Sequence, residues 1–162
     1  MAAATASGRF RAAFVGDISD CYGSIEAATV GRSLRSLGVH DAAVDVVVEI
    51  LRSFDARGVR GLPIGPPASA VLANAVLAPV DRVLAEASGG PVLRWVDDVV
   101  VFAAVPARAM ATQAAFSRSL RDLGLTPHPT KSATVDDPAA VLPSASRASV
   151  PPAVSRGMMR PP

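Results

Sequence analysis

Cysteine is almost missing from this chain. Cys21 is the only one among 162 residues, which excludes an internal disulfide framework and fits a reducing compartment such as the cytoplasm. Aromatic residues make up 4% of the sequence against 50% hydrophobic residues overall, with Tyr22 the only tyrosine and Trp95 the only tryptophan. A core here must be built mainly from Ala, Val and Leu. The N-terminus, MAAATASGRFRAAF, has no apolar run behind a basic start, which argues against a secretory signal. No membrane-spanning segment and no membrane partner are expected. The two histidines, His40 and His128, show no metal-ligand spacing, and Cys21 has no paired histidine; all three read as non-catalytic. The net charge of +2 is uneven, because Arg147, Arg156 and Arg160 lie in an acid-free tail over 138–162. It identifies no partner.

What is present suits one domain. Residues 12–16, AAFVG, form a short apolar run ending at Asp17, which predicts a buried strand with a carboxylate at its edge. An imperfect helix follows a turn through Ile25, Ala28, Leu34 and Leu37. A clearer one is expected over about 41–56, where Val44, Val47, Val48, Leu51 and Phe54 recur at helical spacing and Asp41 is a candidate cap. The glycine- and proline-bearing stretch 58–67 predicts a loop. Ser69 to about Ala87 predicts a long helix with Val71, Leu72, Ala75, Val76, Val80, Val83 and Leu84 inward and a kink at Pro79. Residues 91–96 and 99–104 read as strands of a hairpin joined by Asp97-Asp98. A helix from Pro106 to about Leu123, with Met110, Ala114, Phe116 and Leu120 along one stripe, and a short strand over 132–135 complete the domain. The fold expected over 10–137 is α+β, a ferredoxin-like βαββαβ antiparallel sheet with helices on one face. The Pro/Ala/Ser/Arg tail over 138–162 is expected to be disordered.

In that arrangement Asp17, Asp97 and Asp98 converge at one sheet edge. Such a cluster repels itself unless a cation sits within it, and two hard divalent ions ~3.5–4 Å apart suit phosphoryl transfer. An Asp-Asp turn in a surface hairpin is by itself common. Four segments together say more. VGDISDCYGSI at 15–25, GLPIGPPASAVLANAVLAPVD at 61–81, RWVDDVVVF at 94–102 and GLTPHPTKS at 124–132 resemble, in order, four palm motifs of prokaryotic reverse transcriptases. The likeness is strongest to group II intron, retron and phage-defence relatives.

The resemblance implies an RNA-directed DNA polymerase that uses two Mg²⁺ ions, with Mn²⁺ as a substitute, and acts on dNTP, an RNA template and a DNA primer. It makes Asp17, Asp97 and Asp98 catalytic, with Asp17 and Asp97 the shared metal ligands and Asp98 the adjacent, weaker metal position, and Ile18 a ligand of a metal or the triphosphate through its backbone carbonyl. Tyr22 matches the aromatic that excludes a 2′-hydroxyl. Gly61, Leu62, Pro63, Gly65 and Ser69 resemble the loop beneath the nascent base pair, and Asn74 continues that motif. Ile64 stands where many relatives carry Gln, and Trp95 replaces the Tyr before the paired aspartates. Arg94 matches a frequent basic residue for which a solvated strand position is expected. Lys131, the only lysine, matches a catalytic lysine that stabilises or protonates pyrophosphate.

In that family a fingers region precedes the first motif and a thumb follows the last, whereas only Arg9 and Arg11 stand before Asp17 among basic residues here. Fingers and thumb segments are therefore expected from another chain or from further sequence. Two other readings stay open: a truncated non-catalytic remnant or nucleic-acid- or protein-binding module, and a nucleotide cyclase-like enzyme.

Overall fold

The computed structural model describes residues 9–141. Strand β1 (Ala12–Gly16) leads through a short helical turn, α1 (Cys21–Ser24), into α2 (Ala27–Ser36), α3 (Asp41–Asp55) and the long α4 (Pro67–Ser88). A hairpin of β2 (Val92–Trp95) and β3 (Asp98–Ala103) follows, then α5 (Pro106–Asp122), β4 (Ala133–Val135) and a 3₁₀ turn over Pro138–Val141. The four strands form one antiparallel sheet in the order β2-β3-β1-β4.

Alternation divides this sheet into two unlike faces. Phe14 pairs with Val101 and Gly16 with Val99, and Phe14, Val99 and Val101 join a core with Val76, Leu77, Val80 and Leu84 of α4 and Phe116 and Leu120 of α5. The Phe14 and Phe116 rings meet at 5.3 Å and 58°, a tilted contact that adds to their area burial. Helix α2 packs on α4, and α3 on α2. On the opposite face, Phe10, Ala13 and Phe102 form a smaller cluster reached by Val141.

Several expectations need correction. The 3₁₀ turn extends the fold past the boundary expected at 137, because Val141 covers the apolar patch around Phe102; residues 142–162 of the expected disordered tail lie outside the described residues. The cap of α3 is His40, whose Nδ1 accepts from the Ala42 amide at 3.3 Å, while Asp41 sits in the first turn and pairs with Arg35. Helix α4 runs through Pro79 to a left-handed Gly89. It buries Ser69, Ala73, Val76, Leu77, Val80, Leu84 and Ser88 and leaves Val71 67% exposed. Helix α5 buries Ala109, Thr112, Ala115, Phe116 and Leu120, leaving Met110 out. In both helices the buried stripe mixes small residues with Val, Leu and Phe, so polar Ser69, Ser88 and Thr112 lie inside beside the large apolar side chains. Among the described residues, α4 is also long and apolar enough to cross a membrane, contrary to the expectation that no segment is. Its buried stripe packs against the sheet and α5.

Candidate active site

The site lies where β1 ends and the hairpin turns. Pairing of Gly16 with Val99 carries the register on to Asp17 opposite Asp98, both on the sheet face away from α4 and α5. The hairpin is shifted by one residue from the expected one. Trp95 pairs with Asp98, so the two-residue turn is Val96-Asp97 and Asp98 belongs to β3. Val96 has φ 58 and Asp97 has no positive φ, the pattern of a turn that usually takes glycine first. The shift gives the adjacent aspartates different positions: Asp98 faces Asp17 across the strand pair, and Asp97 stands at the tip.

Asp17 is 4% exposed. Its segment is held by the chain leading to β4: the Ser19 amide donates to the Thr126 carbonyl at 2.9 Å and the His128 amide to the Asp17 carbonyl at 2.7 Å. Between them Ile18 bridges Pro127. In an antiparallel bridge of this kind the middle residue's own amide and carbonyl point away from its partner, so the Ile18 carbonyl is turned to the side opposite Pro127. The same segment brings Lys131 to the acids, its Nζ donating to Asp17 Oδ2 at 2.8 Å.

Electrostatics follow from this crowding. Partial loss of water around its carboxyl, then the charges of Asp97 and Asp17 and the closeness of the Asp17 carboxyl, push Asp98 above the usual carboxylate range, with Lys131 opposing. The Lys131 ammonium is pushed up chiefly by its hydrogen bond to Asp17 and by that carboxylate's charge. It stays protonated at neutral pH. Burial, followed by the charge of Asp97, raises the Cys21 thiol to about 11, which keeps it in the protonated, weakly nucleophilic form at neutral pH.

Tyr22, Asn74, Arg94, Trp95 and Val96 meet around a cleft of about 350 Å³ shared with Ala70 and Ala73. Trp95 is 81% exposed beside it. Pro63, Gly65 and Ser69 do not line this cleft. Gly65 is exposed and Ser69 is buried in the first turn of α4. Their loop is docked on α1: the Leu62 amide donates to the Tyr22 carbonyl at 2.8 Å. Gly61 has φ +65, and a Cβ there would lie 2.2 Å from that carbonyl. Only glycine allows the loop to come so close.

Arg94 is not the solvated residue expected. Its side chain is 10% exposed, with Nε and Nη2 forked onto Asp81 at 2.8 and 2.9 Å. Nη1 donates to Asn74 Oδ1 at 2.8 Å and to the Val96 carbonyl at 3.2 Å. Asp81 was absent from the expected site. Its signal is the seven-residue spacing from Asn74, two helical turns, which sets both on one face.

Residues 3–143 match the family of reverse transcriptase (RNA-dependent DNA polymerase). The chain belongs to that family. A search of curated proteins finds no match. Reverse transcriptases use divalent metal ions. Among the described residues no three acidic, histidine or cysteine side chains enclose a metal position. The facing carboxylates nonetheless suit magnesium, which keeps its waters and takes one or two carboxylates together with substrate phosphates rather than a closed protein cage.

Proposed function

We propose that this chain is the palm of an RNA-directed DNA polymerase that adds dNTP to a primer 3′-hydroxyl, with fingers and thumb supplied by other sequence. The observation that carries the reading is the buried Asp17 carboxylate facing Asp98 across the strand pair, with Lys131 bonded to Asp17. The sheet order supports a ferredoxin-like βαββαβ core, with α1 to α4 between β1 and β2 and α5 in the second crossover.

Asp17, Asp97, Asp98 and the Ile18 carbonyl would hold divalent ions. Two Mg²⁺ ions, or Mn²⁺, supply Lewis acidity toward the primer hydroxyl and the departing pyrophosphate. Lys131 holds Asp17 in the free protein, and its half-solvated stem leaves the ammonium able to turn to a phosphate. Tyr22 walls the cleft in which the sugar of the incoming nucleotide would lie. Trp95 offers an exposed ring for a base or sugar at the primer end. Pro63, Gly65 and Ser69 support the loop and helix start behind that cleft. A single buried thiol suits a cytoplasmic setting.

The test is primer extension on an RNA template with Mg²⁺ and dNTP, using this chain joined to its flanking sequence. Extension should fall at least about 100-fold in D98N and D97A, since a metal contact is worth several kcal/mol. Equal extension by wild type and both variants, or none by wild type, overturns the reading.

A further inference from the structure

We propose that Arg94, Asp81 and Asn74 form a clamp that holds the Val96-Asp97 turn in its left-handed conformation and so keeps Asp98 opposite Asp17. They are positioning residues. Arg94 pairs with Val99 on the helix-covered face of the hairpin, whereas Asp98 lies on the other face, so the clamp acts only through the backbone of the turn. The catalytic consequence rests on the function proposed above, while the conformational claim stands without it.

A β-branched residue is disfavoured at positive φ, and Val96 has φ 58. Such a backbone persists when its surroundings over-determine it. Those surroundings form a continuous series of contacts. Helix α4 is anchored by Val76, Leu77, Val80 and Leu84 in the main core. It presents Asn74 and Asp81 two turns apart, and these take three of the guanidinium's hydrogen bonds at 2.8 to 2.9 Å. The planar fork, fixed on α4, then donates to the Val96 carbonyl. A lysine cannot reproduce this, because one ammonium lacks the flat, divergent donors needed to hold Asp81 by both oxygens and Val96 at once.

The experiment uses the full chain and four variants: R94M/D81L, R94K, V96G and the triple variant R94M/D81L/V96G. Replacing both charges leaves no unpaired ion behind, so R94M/D81L is expected to fold. The first readout is NMR: the backbone shifts and three-bond coupling of Val96, and amide exchange at Val96, Asp97 and Asp98. R94M/D81L should lose the left-handed signature of Val96, and exchange at Asp98 should quicken by about ten- to hundredfold, the scale of one strained residue released. R94K should move the same way by less. V96G relieves the strain, so in the triple variant most of the protection should return.

The second readout is primer extension, in which R94M/D81L should lower kcat with KM for dNTP little changed, and V96G should restore it. Unchanged Val96 shifts and Asp98 protection in R94M/D81L overturn the clamp, as does a triple variant no better protected than the double. If R94M/D81L does not fold, R94K decides, and an unaltered turn in R94K overturns the proposal. Should wild type extend no primer, the polymerase reading falls while the NMR comparison still decides the clamp.

Discussion

The two faces of the sheet are made by the same strands and do opposite work. On the helix side, Phe14, Val99 and Val101 are fully buried against α4 and α5. One residue along each strand, the other face carries Asp17 and Asp98, with Lys131 reaching across. Alternation lets five or six residues serve stability and chemistry at once, because a side chain's face depends on whether its number is odd or even. It also makes the site depend on register: a slip of one residue would put Asp98 into the core and Val99 into the site.

The sharpest way to break this comparison is to show that the site face is needed for folding. D17N should abolish primer extension, at least about 100-fold, yet leave the circular dichroism spectrum and cooperative melting intact. An unfolded D17N contradicts the division. On the core face the expected effect is reversed. F116A removes a buried ring tilted against Phe14 and should cost about 3–5 kcal/mol in denaturant unfolding, with little change in activity per folded molecule.

A smaller effect concerns charge. The Asp98 carboxyl is raised in the folded protein, so the folded state holds its proton more tightly than the unfolded chain does. Metal-free stability should therefore fall as pH rises from the ordinary carboxylate value through the raised one, and stay lower above it. D98N should remove that step and melt slightly higher at neutral pH while inactive. Lys131 is also raised; its contribution is intact below the ordinary lysine range and lost as pH climbs past its folded value, a loss D17N should erase. Last, R35A breaks the pairs with Asp41 and Asp45 between α2 and α3, whose partners are solvent-exposed, and should cost less than about 1 kcal/mol.

Local patterns made much of this readable in the sequence. The AAFVG strand, the hairpin runs and the helix over Asp41–Asp55 are short-range features, and Asp17 and Lys131 stood out by motif. The turn did not, because Asp97-Asp98 is better turn chemistry than Val96-Asp97; the contact set against it in the proposed clamp comes from Arg94, which is held by Asp81 and Asn74 of α4 and donates to the Val96 carbonyl. Inward faces are hard to read from pattern where helices are rich in Ala and Val. Val71 and Met110 look like core residues but are exposed, while Ser69 and Thr112 are buried, and only the distance of each position from the sheet decides. The 3₁₀ turn at Pro138–Val141 was missed for a similar reason: its value lies in covering Phe10, Ala13 and Phe102, a patch that exists only once β1 and β3 have paired.

The central claim is that Asp17 and Asp98 together hold a divalent ion for a nucleoside triphosphate, and Mn²⁺ binding followed by electron paramagnetic resonance, with and without dATP, tests it without requiring turnover. Wild type should bind Mn²⁺ with dATP more tightly than dATP alone does, and D17N and D98N should each lose that gain. Equal Mn²⁺ binding by wild type and both variants would contradict the account.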